Sequence, residues 1–401
     1  MERTQDAAAG QTVFDRGEGS LDELHGRIAH HFRRPEVKER VRRYVASLLS
    51  HLGRKNGWQM AEQMGEAAPQ GAQRVLNGSR WDADAIRDDL REYVVEHLGE
   101  ERSGVLLVDE TGFLKKGEKS VGVAAQYTGT AGKTENAQVG VFLAYASESG
   151  AAFIDRRLYL PDGWAQDPER RAEAGVPEDV DFATKGELAR EMLQRAFEAG
   201  VPARWVVGDT VYGTARGLRG WLEGQGRSYV LAVPATKGVY YEGHQKQARK
   251  VAEGLPEEAW NRTSSGAGSK GERLHDWACV TLSEVDAELS RAEHRARRWL
   301  LMRRGIEAPE EIAYYLCYGP AETSAPALIR IAGSRWRVED CFAEAKGEVG
   351  LDEYEVRKWE GWHRHVTLAL LAHAYLAVMR SAAQREEDAG KKGIPSIAAQ
   401  R

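Results

Sequence analysis

Apolar residues recur at three- and four-residue steps through the first quarter of the chain, a period that predicts helices. Val41, Tyr44, Val45, Leu48 and Leu49 form one stripe; Ile86, Leu90, Tyr93, Val94 and Leu98 form another, after an Asp82 placed to cap it. Residues 21–100 therefore read as an all-helical domain behind a polar leader at 1–20. The pattern changes at Ser103. VLLVD (Val105 to Asp109) is a short apolar run closed by an acid, as expected of a strand buried on both faces. VGVAAQYTG, QVGVFLAYA and AAFIDRRLYLP follow as extended segments. A helix over about Lys185 to Ala199, a second buried strand WVVGD (Trp205 to Asp209), a helix over about Thr214 to Glu223 and a strand YVLAVP then alternate. Three strands followed by alternating helix and strand describe a mixed α/β sheet over 101–237.

Residues 238–295 break that rhythm and read as a β-rich insertion. They hold a Gly/Ser-rich turn (SSGAGSKG, Ser264 to Gly271), a strand DWACVTL and a charged helix. WLLMRR and IAYYLCYG predict two more strands. Helices resume near Ala325 and end in the apolar HVTLALLAHAYLAVM, so 296–382 reads as the second part of the core. A polar, frayed tail is expected over 383–401.

Composition narrows the classes. The 401 residues are 42% hydrophobic and 29% charged, a globular rather than a disordered balance. No uninterrupted apolar run reaches the roughly 18–20 residues of a membrane span. The start lacks a basic segment followed by an apolar one, so a cytoplasmic location is expected. Cys279, Cys317 and Cys341 stand far apart, against a disulfide framework or a thiolate zinc site. The net charge of −5 hides a segregation: Arg27 to Lys55 carries nine basic residues against two acids. A basic stretch of this kind is the electrostatic footprint of a nucleic-acid contact.

Asp109 and Asp209 share one context, each closing a buried strand. Ligands of open α/β sheets sit outside the carboxyl ends of strands. If the two strands are parallel neighbours, both carboxylates emerge at one edge, and the usual remedy for their repulsion is a hard divalent cation. The alternative is that each Asp merely caps the following turn. Downstream, Arg335, Glu339, Phe342 and Lys346 fall on one stripe of a helix at about 100° per residue. Such a stripe is either a solvated ion-pair face or a third carboxylate offered between two bases. A phosphohydrolase of the haloacid-dehalogenase type would need a second acid two residues after the first, where this chain has Thr111.

The strings VLLVDETG, VVGDTVYG and RWRVEDCFAEAK resemble the DDE transposases of bacterial insertion sequences, in the IS-four-like branch. That branch carries a Tyr, Arg, Glu, Lys signature; Arg335, Glu339 and Lys346 match its spacing, while the Tyr position falls on Ala332. RKNGWQMAEQMG, QRVLNGSRWD, FATKGELAREML and GLDEYEVRKWEGWHRH extend the resemblance to the IS-seven-hundred-one group over roughly residues 30–380. The resemblance implies an RNase H-like fold, a five-stranded mixed sheet with first and fourth strands adjacent, with flanking helices, the β-rich insertion and an N-terminal helical DNA-binding domain.

It also implies an endonuclease and strand transferase using two Mg²⁺ (or Mn²⁺) ions held by the catalytic residues Asp109, Asp209 and Glu339. Glu344, about 140° round the helix, is the less suitable third acid. Arg335 and Lys346 would hold phosphates. Arg33, Arg34, Arg40, Arg43, Arg54 and Lys55 would supply DNA affinity from the basic stretch. The partners implied are double-stranded DNA (terminal inverted repeats and target) and a second copy pairing two ends as a homodimer, on the bacterial nucleoid and with no membrane. The alternative is a domesticated, transposase-derived DNA-binding regulator without transposition activity, whose mark would be a lost carboxylate.

Overall fold

The computed structural model describes residues 20–268, 271–283 and 296–392. The expected leader, apart from Ser20, lies outside them, as does most of the expected charged helix before residue 296. The chain opens with helices α1 (20–28), α2 (Pro35–Leu49), α3 (Gly57–Gln63), α4 (Gln70–Asn77) and α5 (Ala83–Leu98). Asp82 caps α5 through Oδ1, which accepts from the Asp84 and Ala85 amides.

Strand β1 (Val105–Leu114) begins the sheet, followed by β2 (Ala124–Thr128), β3 (Lys133–Ser147) and β4 (Gly150–Tyr159). After short helices α6 (Asp162–Ala165) and α7 (Pro168–Ala174) come α8 (Lys185–Glu198), β5 (Trp205–Gly208), α9 (Thr210–Thr214), α10 (Arg216–Gly224) and β6 (Ser228–Val233). The single helix expected from Thr214 divides in two, because Ala215 takes an extended conformation between α9 and α10. β1 pairs antiparallel with β3 and parallel with β5, and β5 pairs parallel with β6. β3 is long enough to carry β2 along its first part and β4 along the rest. The order β4–β3–β1–β5–β6 thus brings the first strand of the core beside the fourth of this set.

The sheet does not stop at β6. A small hairpin, β7 (Gly238–Tyr241) with β8 (His244–Gln247), and helix α11 (Ala248–Glu253) lead into β9 (Asn261–Gly268), β10 (Gly271–Thr281), β11 (Ala296–Arg304) and β12 (Ile312–Pro320). These four continue the same sheet in the order β6–β12–β11–β10–β9. The Gly/Ser-rich segment expected to be a turn is mostly strand: Ser264 pairs with Leu274 and Gly268 with Gly271. Its small residues let α12 (Ala325–Gly333) approach, since a Cβ on Gly333 would stand 2.0 Å from the Ser265 carbonyl oxygen.

Helices α13 (Trp336–Gly347) and α14 (Trp359–Lys392) are the last elements among the described residues. Among the described residues α14 alone is long and apolar enough to cross a membrane by length and composition, yet most of that stretch is buried inside the protein. Its apolar half packs on β4, α5, α2 and α4. The expected frayed tail is still helical to Lys392, helped by Arg385, which donates to the His97 carbonyl at 2.7 Å.

Buried polar contacts fasten the N-terminal helices to α14. Arg364 donates to the Leu76 and Trp81 carbonyls at 3.0 and 2.9 Å. His365 donates from Nε2 to the Gly350 carbonyl at 3.2 Å, which leaves Nδ1 to accept from the Tyr44 hydroxyl at 2.9 Å.

Candidate active site

The parallel register of β1 and β5 pairs Val108 with Gly208, so Asp109 and Asp209 come next on neighbouring strands. Asp209 follows the end of β5 as expected, but Asp109 does not close its strand, because pairing with β3 carries β1 on to Leu114. Asp209 is also the N-cap of α9, its Oδ1 accepting from the Val211 amide at 2.8 Å. Capping and site placement are therefore compatible roles for one carboxylate. The third acid arrives on α13. Arg335, at the start of that helix, donates from Nη2 to Glu339 Oε1 at 2.7 Å, and its Nη1 lies 3.5 Å from Asp109 Oδ2. One guanidinium thus bridges Asp109 and Glu339, which places Glu339 on the Asp109 side of the sheet.

The electrostatics of the cluster are those of acids short of positive charge. Burial and the neighbouring Asp209 push Asp109 up to about 7, against the pull of Arg335. Asp209 is raised too, by burial and by Glu110. The three carboxylates do not all stand within 4.8 Å of one another; among the described residues only His30, His31 and Asp89 meet that spacing. Arg335 stands between two members of the acid set, Asp109 and Glu339. Hard oxygen donors, partly buried and mutually repelling, are the donor set a divalent cation satisfies, so these residues fit the implied metal in chemistry.

The rest of the stripe behaves as its spacing predicts. Lys346 donates to the Thr111 hydroxyl at 2.8 Å, two residues beyond Asp109 along β1, and reaches Thr130 Oγ1 at 3.4 Å. Burial lowers its pKa. Phe342 anchors the stripe against Phe142 and Phe153, with ring centroids 5.3 and 4.8 Å away. Glu344 faces elsewhere, ion-paired to Arg380 and 3.3 Å from His373, which hold it down at about 2 despite burial.

Sequence reasoning passed over a second polar group at the site. Glu110 accepts from Lys185 Nζ at 2.7 Å and from the Tyr212 hydroxyl at 2.6 Å. Tyr212, fully buried and three residues after Asp209, is thereby tied to the residue after Asp109. The available signal was the Asp109-Glu110-Thr111 run beside the VYG after Asp209, with Lys185 inside the FATKGELAREML string.

The basic stretch divides. Arg33, Arg34 and Arg54 are exposed. Arg40 is paired with Glu66 at 2.8 Å and Arg43 with Glu39 at 2.9 Å. Lys55 is not a surface residue: it is 6% exposed, and its ammonium donates to the Ser50 and Glu348 carbonyls at 2.8 and 2.6 Å. With its ammonium spent on two backbone carbonyls, Lys55 is set apart from the exposed bases of the stretch. Among the described residues no hydrogen bond or ion pair joins any of the six to Asp109, Asp209 or Glu339.

Two proton linkages of opposite sign follow. Burial holds His363 and His365 down, to about 3 and 4, so the unfolded chain binds more protons as pH falls from 6.5 toward 4, and stability is lost with acid. Asp109, raised to about 7, binds its proton in the folded state over the same window and opposes that loss. Asp109→Asn should therefore steepen the acid loss between pH 6.5 and 4, by up to about 1.4 kcal/mol per pH unit. Urea unfolding of both proteins at pH 7, 6 and 5 reads this directly; parallel losses would show that Asp109 titrates normally.

Comparison with known proteins adds a lineage to this geometry. Over 187 residues the chain is 29% identical to the probable transposase for insertion sequence element IS701 of Microchaete diplosiphon, covering 46% of each protein. The chain thus spans about half the length of that relative. A structural match to the NurA nuclease from Sulfolobus solfataricus has a TM-score of 0.26 and 7% identity, covering 65% of this chain and 86% of that one. The family model of the DDE superfamily endonuclease matches residues 27–299, which include β1 with Asp109 and β5 with the Asp209 turn and stop short of Glu339. Spanning more than half of the chain and both Asp109 and Asp209, that match makes this protein a member of the DDE superfamily endonucleases.

Proposed function

We propose that this protein is an insertion-sequence transposase that binds the terminal inverted repeats of its element as a homodimer. It cuts and rejoins DNA strands with divalent metal ions, two Mg²⁺ or Mn²⁺ per site, on the bacterial chromosome. The fold is read as RNase H-like, with β4–β3–β1–β5–β6 as its five strands, residues 238–295 as its β-rich insertion, 296–382 as the second part of the core and the N-terminal helices as a DNA-binding part. The observation that carries this reading is the Arg335 guanidinium bridging Asp109 and Glu339 beside an Asp109 held near 7. All three acids being present favours an enzyme over a regulator.

Asp109, Asp209 and Glu339 would hold the metal. When bound, divalent ions at such a site activate the attacking hydroxyl and stabilise charge on the leaving oxygen. To serve as an anionic ligand near neutral pH, Asp109 has to lose its proton, and Arg335 at its Oδ2 favours that loss. Arg335 can then turn its fork from the carboxylates to a phosphate, and Lys346, steadied by Thr111, offers a second cation. Tyr212 and Lys185, both donating to Glu110, hold the α9 turn and thereby the direction of Asp209.

The test combines metal binding with cleavage. Mn²⁺ or Mg²⁺ should raise the melting temperature, release protons on binding at pH 6.5, and support nicking of a plasmid carrying both element ends, all reversed by EDTA. A protein that binds neither ion at millimolar concentration and cuts no DNA would refute the proposal.

A further inference from the structure

A further group of cations follows the α9 turn, on α10 and just ahead of β7. A cleft of about 400 Å³ opens between α10 and the β7–β8 hairpin, floored by β6, β11 and β12. Four cations line it: Arg298, which is paired with Glu223, and three at graded depth, Arg216 exposed, Lys237 half-buried and Arg219 only 8% exposed. The acid in the cleft, Glu223, is already committed. Arg298 grips it with Nε at 3.1 Å and Nη2 at 2.5 Å, and the Tyr229 hydroxyl donates to it at 2.6 Å. Arg219 spends one nitrogen on the Gly213 carbonyl. Among the described residues Arg216, Arg219 and Lys237 have no carboxylate partner of their own.

Cations crowded in this way are costly unless an anion joins them. Burial, then Arg219 and Arg216, lower the Lys237 pKa, and burial lowers that of Arg219. A buried arginine facing a concave, water-accessible space is the arrangement that binds phosphate through several N–H donors at once.

The geometry points to a backbone-phosphate site for DNA in this cleft, formed by Arg216, Arg219 and Lys237 and separate from the acid cluster. The inference rests on the transposase reading. DNA is favoured over a small anion because α10, which carries two of the cations, begins one residue after α9, the helix capped by Asp209. Arg219 in turn bonds to α9 itself. A strand seated in the cleft therefore grips the same turn that carries an acid of the active site.

The experiment compares the wild-type chain with Arg216→Gln, Lys237→Gln, the double variant and the charge-conserving Lys237→Arg. A duplex bearing the terminal repeat and a scrambled duplex of equal length serve as probes. If the cleft holds backbone phosphates, each Gln variant flattens the slope of log K against log[salt] by about 0.9, and the double variant by about 1.8, equally on both duplexes. Lys237→Arg should restore the slope. Duplex DNA should also shield Lys237 of the wild-type chain from an amine-acylating reagent, a reading that needs no variant to fold. Unchanged slopes with no shielding would overturn the site while leaving the transposase reading intact. The site is equally overturned if inorganic phosphate or ATP raises the wild-type melting temperature, the double variant abolishes that rise and DNA slopes stay the same, because the cleft then serves small anions. A wild-type chain with no salt-dependent DNA binding would instead refute the DNA reading on which the site depends.

Discussion

Glu339→Gln should abolish metal-dependent strand cleavage, by about 10³-fold or more, while binding to element-end DNA survives. The amide keeps the shape of the side chain and can still face Arg335, but it is no longer a hard anionic ligand. The transition-state charge stabilisation lost with a misheld ion is several kcal/mol, and each 1.4 kcal/mol is about tenfold in rate. Folding should hardly notice, because Glu339 is 40% exposed and its ion pair with Arg335, one helical turn away, is only partly buried. Lys346→Ala should give the opposite profile. The ligands remain, but the ammonium beside Thr111 and a potential phosphate contact are gone. Cleavage should fall less steeply, with DNA binding weakened most at high salt. The measurement is single-turnover cleavage of prebound DNA alongside equilibrium binding at two salt concentrations. Equal loss of binding in both variants, with an unchanged rate on bound DNA, would reduce the α13 stripe to an ordinary ion-pair face.

How far this site was legible in the sequence depended on which features are local. VLLVD and WVVGD announced themselves because parallel strands covered on both sides read as unbroken apolar runs, and the acids closing them stand out. The α13 stripe was legible from helical geometry alone. The bridge made by Arg335 was not, since spacing puts a guanidinium on a face but cannot say that a strand more than 200 residues earlier delivers Asp109 to its other nitrogen. Lys55 shows the same limit from the other side. A charge count treats all bases as exposed, whereas this one turns inward to the Ser50 carbonyl and to a Glu348 carbonyl that arrives from nearly 300 residues away, while the Glu353 carboxylate takes its backbone amide. The β9 segment misled for a different reason: Ser and Gly favour turns locally, and its strand conformation comes from pairing with β10 and the close approach of Gly333.

Asp155→Ala should cost about 3–5 kcal/mol of stability, a large part of the roughly 5–15 kcal/mol a domain has in total. Asp155 is 1% exposed on β4 and holds cations from two different helices. Its Oδ1 accepts from Arg87 of α5 at 3.0 Å and its Oδ2 from Arg195 of α8 at 3.0 Å. Its neighbour Arg156, equally buried, bonds to Thr367 of α14 at 2.8 Å and to Asp84 of α5 at 2.6 Å. Burial alone would raise the Asp155 pKa, yet Arg87 and Arg195 hold it below the usual carboxylate range. Removing the carboxylate takes from the buried Arg87 the deepest of its acid partners, leaving it Asp84 and Asp88, and strips the partly exposed Arg195 of its acid. That is why the loss should far exceed that of a surface pair such as Lys119 with Glu173, whose removal should leave the urea midpoint unchanged. Adding Arg195→Met to Asp155→Ala should recover part of the stability, because one stranded charge goes with it. Since β4 borders β3, and β3 borders β1, the Asp155 variant should lose DNA binding and cleavage together as it unfolds, unlike Glu339→Gln, where binding persists. Urea titration of the single and double variants decides the matter: a change below about 1 kcal/mol for Asp155→Ala would mean that the three arginines find solvent or other partners, and that this network does not hold the N-terminal helices to the sheet.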